Sequence, residues 1–399
     1  MALVSDPSPE FIRPDVGVSP PKIWKSRNLS LDRARTFLTI LVLIHHAVIP
    51  YTHFGHTDPA SWGGFDCIVL ATDSFFMAMF FFLSGLFLWP SVSRRKPGAF
   101  ARDRLIRLGI PFAVTAVTII PLAYYAIALR QTPGLGFADF WWKTVTEGPW
   151  PSGPLWFLWV LLIYDVVGGA LYRLWPRILD PINRLSVRGF RRPVEVFAYL
   201  VAVGGLFYVP LRIWLGPNHW FEFGPFSVQE SRFILYAAYF FMGAGIGAGN
   251  FNIGLLSPDG QLPKQWKAWA LAALMPYLAM WLLIFIKREI LGNPDELPAW
   301  YEFYYGIAFV LFSAAITFAI LAFFLRFKRG GFSVLDALQN DAYGIFLVHY
   351  AYMLWLQYFL YDYDWPAVVK AAVVFVAGLL ASWATTDALR RIPGVTRVV

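Results

Sequence analysis

The sequence predicts an all-α, polytopic membrane protein of about ten transmembrane helices with both termini in the cytoplasm. Three observations lead there. Of 399 residues, 58% are hydrophobic and only 15% charged, with a mean hydropathy of +0.54, which is far too apolar for a soluble chain of this length. Apolar windows long enough to cross about 30 Å of hydrocarbon recur along the whole chain. The cations are lopsided: counting each with the end of the window it adjoins, 26 of the 33 Lys and Arg fall on the side where the chain starts, 6 on the other side, and Lys370 lies inside the last window. A cation excess on one side marks the cytoplasmic face.

The windows run in order over residues 36–54, 68–90, 107–129, 154–174, 194–214, 232–249, 268–287, 301–325, 341–361 and 366–389. The fifth holds Gly204, Gly205 and Pro210, and the sixth ends in Gly243, Gly245, Gly247 and Gly249, residues that permit kinks or close helix approach. Residues 1–30 are polar and Pro-bearing, lack a signal-peptide core, and read as a mobile cytoplasmic tail. Residues 31–390 form the membrane domain, and residues 391–399 a short cytoplasmic tail. Cys67 is the lone cysteine, so no intramolecular disulfide forms. The net charge of +8 follows from topology and contact with membrane lipids; it calls for no nucleic acid.

Ionisable groups inside apolar windows are the first functional pointers. A charged side chain at mid-bilayer costs about 2.5–3.5 kcal/mol on insertion scales and faces a pathway or site by default. In the first window Arg35 sits at the polar end, and His45 and His46 lie among aliphatic residues. At about 100° and 1.5 Å per residue, Arg35 and His46 share one helix face, about 16 Å apart, while His45 points about 80° away.

Five motifs follow in chain order. They are Arg35 with His46, Phe81-Phe82-Leu83-Ser84-Gly85, Arg104-Leu-Ile-Arg107 leading to Pro111, Leu155-Trp156-Phe157-Leu158, and Tyr343-Gly-Ile-Phe-Leu-Val-His349. Together they resemble the acyltransferase 3 family of integral-membrane O-acyltransferases. The resemblance implies an acyl group taken from cytoplasmic acyl-CoA and placed on a hydroxyl of an extracytoplasmic carbohydrate or lipid-linked glycan. It implies acetyl as the acyl group with succinyl as competitor, since the chain is similar in size to stand-alone members that modify periplasmic glucans. The implied location is the cell inner membrane, with acyl-CoA as co-substrate and no permanently bound cofactor.

The family's first-span pair maps onto Arg35 and His46, its basic pair onto Arg104 and Arg107, and its late histidine onto His349; His45 is extra to the pattern. The chemistry agrees. Acyl transfer to an alcohol needs a base for the hydroxyl proton, which an imidazole near neutrality supplies. Coenzyme A phosphates call for clustered guanidinium groups, and Arg102, Arg104 and Arg107 stand in a basic connector, the last two at i and i+3. The same cluster also reads as an orientation signal. Asp73, early in the second window, is a candidate to orient a first-span histidine, and it also reads as interfacial.

Trp141, Trp142, Trp150, Trp156 and Trp159 read chiefly as an interfacial belt. The loop at 215–231, with His219, Glu222 and Glu230, is a further candidate for contact with the acceptor. No His-Glu-x-x-His, paired-cysteine or phosphate-loop pattern occurs, so no metal is implied. The alternative class is a secondary transporter, because intramembrane ionisable residues also mark carriers; the two halves show no internal repeat.

Overall fold

Asn28 opens the first helix: its side chain accepts from the Leu31 amide, and Asp32 follows in the first turn, where a negative charge suits the positive helix end. This is a computed structural model that describes residues 28–398 apart from 152, 250, 295 and 328–332. The expected tail therefore lies, up to residue 27, outside the described residues.

Helix α1 (Leu29–Val48) ends in a 3-10 turn at Pro50. Helix α2 (Gly63–Gly85) is followed by α3 (Leu88–Ser93), α4 (Pro97–Arg104), a π turn (Leu105–Gly109), α5 (Ile110–Val117) and α6 (Ile119–Gln131). Helices α7 (Phe137–Thr146), α8 (Trp156–Leu174), α9 (Asp180–Gly189) and α10 (Pro193–Leu215) lead to a hairpin, β1 (Trp220–Phe223) with β2 (Phe226–Gln229). After it come α11 (Glu230–Gly247), α12 (Gln261–Lys264), α13 (Trp266–Phe285), α14 (Ala299–Arg326), α15 (Val334–Leu338), α16 (Ala342–Leu360) and α17 (Ala367–Arg390).

Eight stretches among the described residues are long and apolar enough to cross a membrane, and they coincide with eight of the expected windows. The other two windows are α11 and α16, of 18 and 19 residues. They are helical but more polar: α11 carries Glu230 and Arg232 in its first turn, and α16 carries His349 and Gln357. The hairpin is the one departure from all-α structure among the described residues. We call the side on which α1 begins the basal face and the side on which it ends the distal face.

The glycines of α11 act as the sequence suggests. A Cβ on Gly243 would lie 2.1 Å from the Phe82 carbonyl oxygen, one on Gly247 2.0 Å from that of Leu86, and one on Gly85 2.0 Å from that of Phe240. Helices α2 and α11 thus run parallel with backbones in direct contact, a packing that only residues without side chains permit. Beside this seam Phe81 meets Phe157, Tyr164 and Tyr236.

The tryptophans depart from expectation. Half-buried Trp156 stacks on Tyr236, and buried Trp159 donates its indole N–H to the Ser227 carbonyl at 3.0 Å, so both pack against neighbouring helices and loops of the protein. Trp142 remains exposed on α7.

Buried cations each find an acid. Arg232 meets Asp73, Arg212 meets Glu302 and Lys370 meets Asp58. At the basal end, Arg33 makes a bidentate pair with Asp336, at 2.7 and 2.6 Å. Removing one member of such a pair strands a charge in a site of low polarity.

Candidate active site

His46 lies in the last turn of α1, nearer the distal face than mid-span. Its ring faces α16, with centroid separations of 5.3 Å to His349 and 5.0 Å to Tyr350. Gln357 of α16 donates its side-chain amide to the His46 carbonyl at 2.8 Å, which satisfies one of the carbonyls the helix end leaves open and pins α1 to α16 at this level.

His45 turns to a different helix. Its Nδ1 lies 2.7 Å from Thr72 Oγ1 on α2, and its ring packs on Phe76. The Thr72 hydroxyl donates to the Ile68 carbonyl, so it accepts from His45 and leaves the proton on Nδ1 of that ring. His45 is thereby tied to the α1–α2 contact, and His46 is the one of the two on the α16 side.

His349 is fully buried, and its Nδ1 lies 2.7 Å from the Phe346 carbonyl. A carbonyl only accepts, so the proton sits on Nδ1 and the lone pair on Nε2, a buried acceptor with no hydrogen-bond partner. Tyr350 donates its hydroxyl to Tyr124 of α6 at 3.4 Å. Two imidazoles and two phenols from three helices thus converge.

A cavity of about 800 Å³ adjoins this cluster, lined by His46 and Ile49 from the end of α1, Arg130 from the end of α6, and Tyr350, Gln357 and Tyr361 from α16 and its exit. The volume is of ligand size. Along all three segments the lining residues later in the chain lie toward the distal face, so His46 and Tyr350 sit deepest, and Arg130 and Tyr361 lie at the rim with Pro133 and Asp362.

The basal face carries the cations. Arg35 is 38% exposed, lies 3.6 Å from Asp32 and places its guanidinium 5.1 Å from the Phe87 ring. Because α1 is unbroken, Arg35 and His46 keep the helical relation expected of them. Arg102 is exposed.

Arg104 and Arg107 do not act on one carboxylate as a pair. Arg104 turns to Asp165 of α8 at 3.3 Å, whereas half-exposed Arg107 lies 3.3 Å from Asp103. The intervening π turn is wider than an α turn and rotates the second guanidinium away. The Arg107 carbonyl accepts from the Tyr343 hydroxyl at 2.6 Å, which joins this basic segment to the start of α16.

Asp73 needs correction as an orienter of histidine. Its two oxygens take the Arg232 guanidinium at 3.0 and 2.6 Å, and the hydrogen bond that holds the first-span His45 is made with Thr72 instead. The reason lies in topology: α11 packs parallel to α2 and brings a buried cation to the level of Asp73. His219 and Glu230 lie at the ends of the distal hairpin, 3.3 Å apart, and are not part of the histidine cluster.

Sequence reasoning missed Tyr350, Tyr124, Gln357 and Arg130. Tyr350 follows His349 directly and Gln357 is the lone amide of α16, a signal that was available; Tyr124 and Arg130 gave none. Missed as well was the Arg33–Asp336 pair, in which the hydrogen bond from Arg33 draws the Asp336 carboxyl down from 3.8 to about 2.

The model of a family described as an acyltransferase domain, acyltransferase 3, matches residues 28–387, nearly the whole chain. No curated protein and no solved structure matches it.

Proposed function

The chain belongs to the acyltransferase 3 family and is a multi-pass membrane acyltransferase, and from that premise we propose that it transfers an acyl group from acyl-CoA at the basal face to a hydroxyl entering from the distal face. The basal face is then cytoplasmic, a reading that its excess of cations supports. The acceptor is an extracytoplasmic carbohydrate or lipid-linked glycan, a glucan among them, the acyl group acetyl or succinyl, and the membrane the inner one.

The observation that carries this reading is His46, half-buried at the floor of a distal cavity and set against His349 and Tyr350. His46 takes the hydroxyl proton as the acceptor oxygen bonds to the acyl carbon. The carbon–sulfur bond breaks, and the departing thiolate takes a proton. His349, with its free Nε2 lone pair, helps to hold the acceptor or the His46 ring. Arg35, Arg102, Arg104 and Arg107 meet the donor's phosphates. Asp73 acts at one remove, as the counter-ion that keeps Arg232 in place.

The test is transfer of radiolabel from acetyl-CoA and succinyl-CoA to surface glycan extracts by purified protein in detergent, where no gradient exists. Label should move with the parent protein and fall by about 10²–10⁴ in His46→Ala, the range for losing a general base. Full transfer by His46→Ala removes the assignment, and gradient-driven solute uptake without any label transfer favours a carrier.

A further inference from the structure

Three chain segments meet at the rim of the distal cavity, and two cations join them. Arg130, at the end of α6, lies with its guanidinium 3.6 Å from the centroid of the Tyr361 ring, beyond the end of α16. The same guanidinium donates to the Thr57 carbonyl at 2.7 Å, in the connection between α1 and α2. The neighbouring Asp58 receives Lys370 at 3.0 and 3.2 Å, and Lys370 also donates to the Tyr361 carbonyl at 3.1 Å.

The two joints differ in kind. Lys370 and Asp58 are 2% and 3% exposed, so their pair is a buried fixture whose separation strands both charges. Arg130 and Tyr361 are half-buried at the rim, and their contact is a cation–π stack that opens by side-chain rotation alone. Arg130 is thus a bar lying across a frame that Lys370 holds rigid.

We propose that the Arg130–Tyr361 stack is a size filter at the distal mouth of the cavity, setting how bulky a hydroxyl compound reaches His46. Selection is by width, because the two side chains touch each other across the rim. This assigns Arg130 and Tyr361 as specificity-determining residues; their naming as acceptor filters rests on the acyl-transfer reading, whereas the filter itself does not.

The test therefore needs no activity. In a Cys67→Ser background, Leu354→Cys places a thiol on the cavity wall. A small methanethiosulfonate reagent should modify it, and a maleimide carrying a polyethylene glycol chain should not. Arg130→Ala and Tyr361→Leu should each raise the rate of the bulky reagent at least tenfold and leave that of the small one within twofold. Tyr361→Phe, which keeps the ring, should match the parent. Gel filtration identifies variants that remain folded, and either of the two opening variants suffices. Bulky labelling of the parent, or no gain in a folded Arg130→Ala or Tyr361→Leu protein, overturns the filter. If label transfer also occurs, the opening variants should accept larger acceptors; an open filter in a protein without transfer would defeat the acyl-transfer reading and leave the filter standing.

Discussion

At residue scale, neighbouring side chains with the same chemistry have been given different work. His45 and His46 differ by one position, and the turn of about 100° between them sends one to Thr72 and the other to the cavity. Nothing in composition separates them; their partners do. Asp336 offers a residue-scale prediction outside the spans. Its folded carboxyl titrates at about 2 against 3.8 unperturbed, because Arg33 donates to it. A depressed acid stabilises the fold in full above its unperturbed value and loses that contribution as pH falls through the folded one. The melting temperature of Asp336→Asn should therefore lie below the parent's by a constant margin above pH 5, and the gap should narrow from pH 4 and close near pH 2. A gap that stays constant across this range would show that Arg33 does not draw on the Asp336 charge.

At the scale of elements, the α2–α11 seam organises the molecule. Three glycines leave no room for a methyl group, and the atoms in the way are backbone oxygens, which cannot rotate aside. Gly243→Ala should destabilise the protein by about 3 kcal/mol, the upper part of the range for overpacking, read as a lower melting temperature in detergent. Gly205, on α10 with open space around its Cβ position, serves as the control: alanine there should be neutral or better. Equal melting of the two variants would mean that the seam has slack. The same seam sets Arg232 beside Asp73, so an interhelical packing motif decides which acids are available for chemistry.

On the scale of the whole molecule, the ion pairs sharpen the charge asymmetry. Arg212, Arg232 and Lys370, counted with the distal face or the last span from sequence, are buried against acids, which leaves the distal surface poorer in cations than the raw count implies. On the proposed function the basal face is the cytoplasmic one, and a cation excess marks that side. In a Cys67→Ser background, an impermeant thiol reagent applied to intact spheroplasts should label Asp364→Cys, on the α16–α17 connection, and not Gly98→Cys, on the α4 segment where nothing crowds the site. The reverse pattern would invert the topology and place the His46 cavity on the cytoplasmic side.

How much was legible follows from what each property depends on. Helix positions, the unequal distribution of cations, the close approach of the glycine-rich window and the common face of Arg35 and His46 all come from local composition or helical period, and the sequence alone determined them. The family likewise rests on motifs written in order along the chain. Tertiary structure decided the rest, because those properties depend on groups far apart in sequence: Asp73 belongs to Arg232, 159 positions away, and Arg130 reaches Thr57 across 73. It also decided that a π turn parts Arg104 from Arg107 and that Trp156 and Trp159 face inward. A one-dimensional pattern tells which side chains avoid lipid, but the partner each one finds is set by which helices pack together and at what depth.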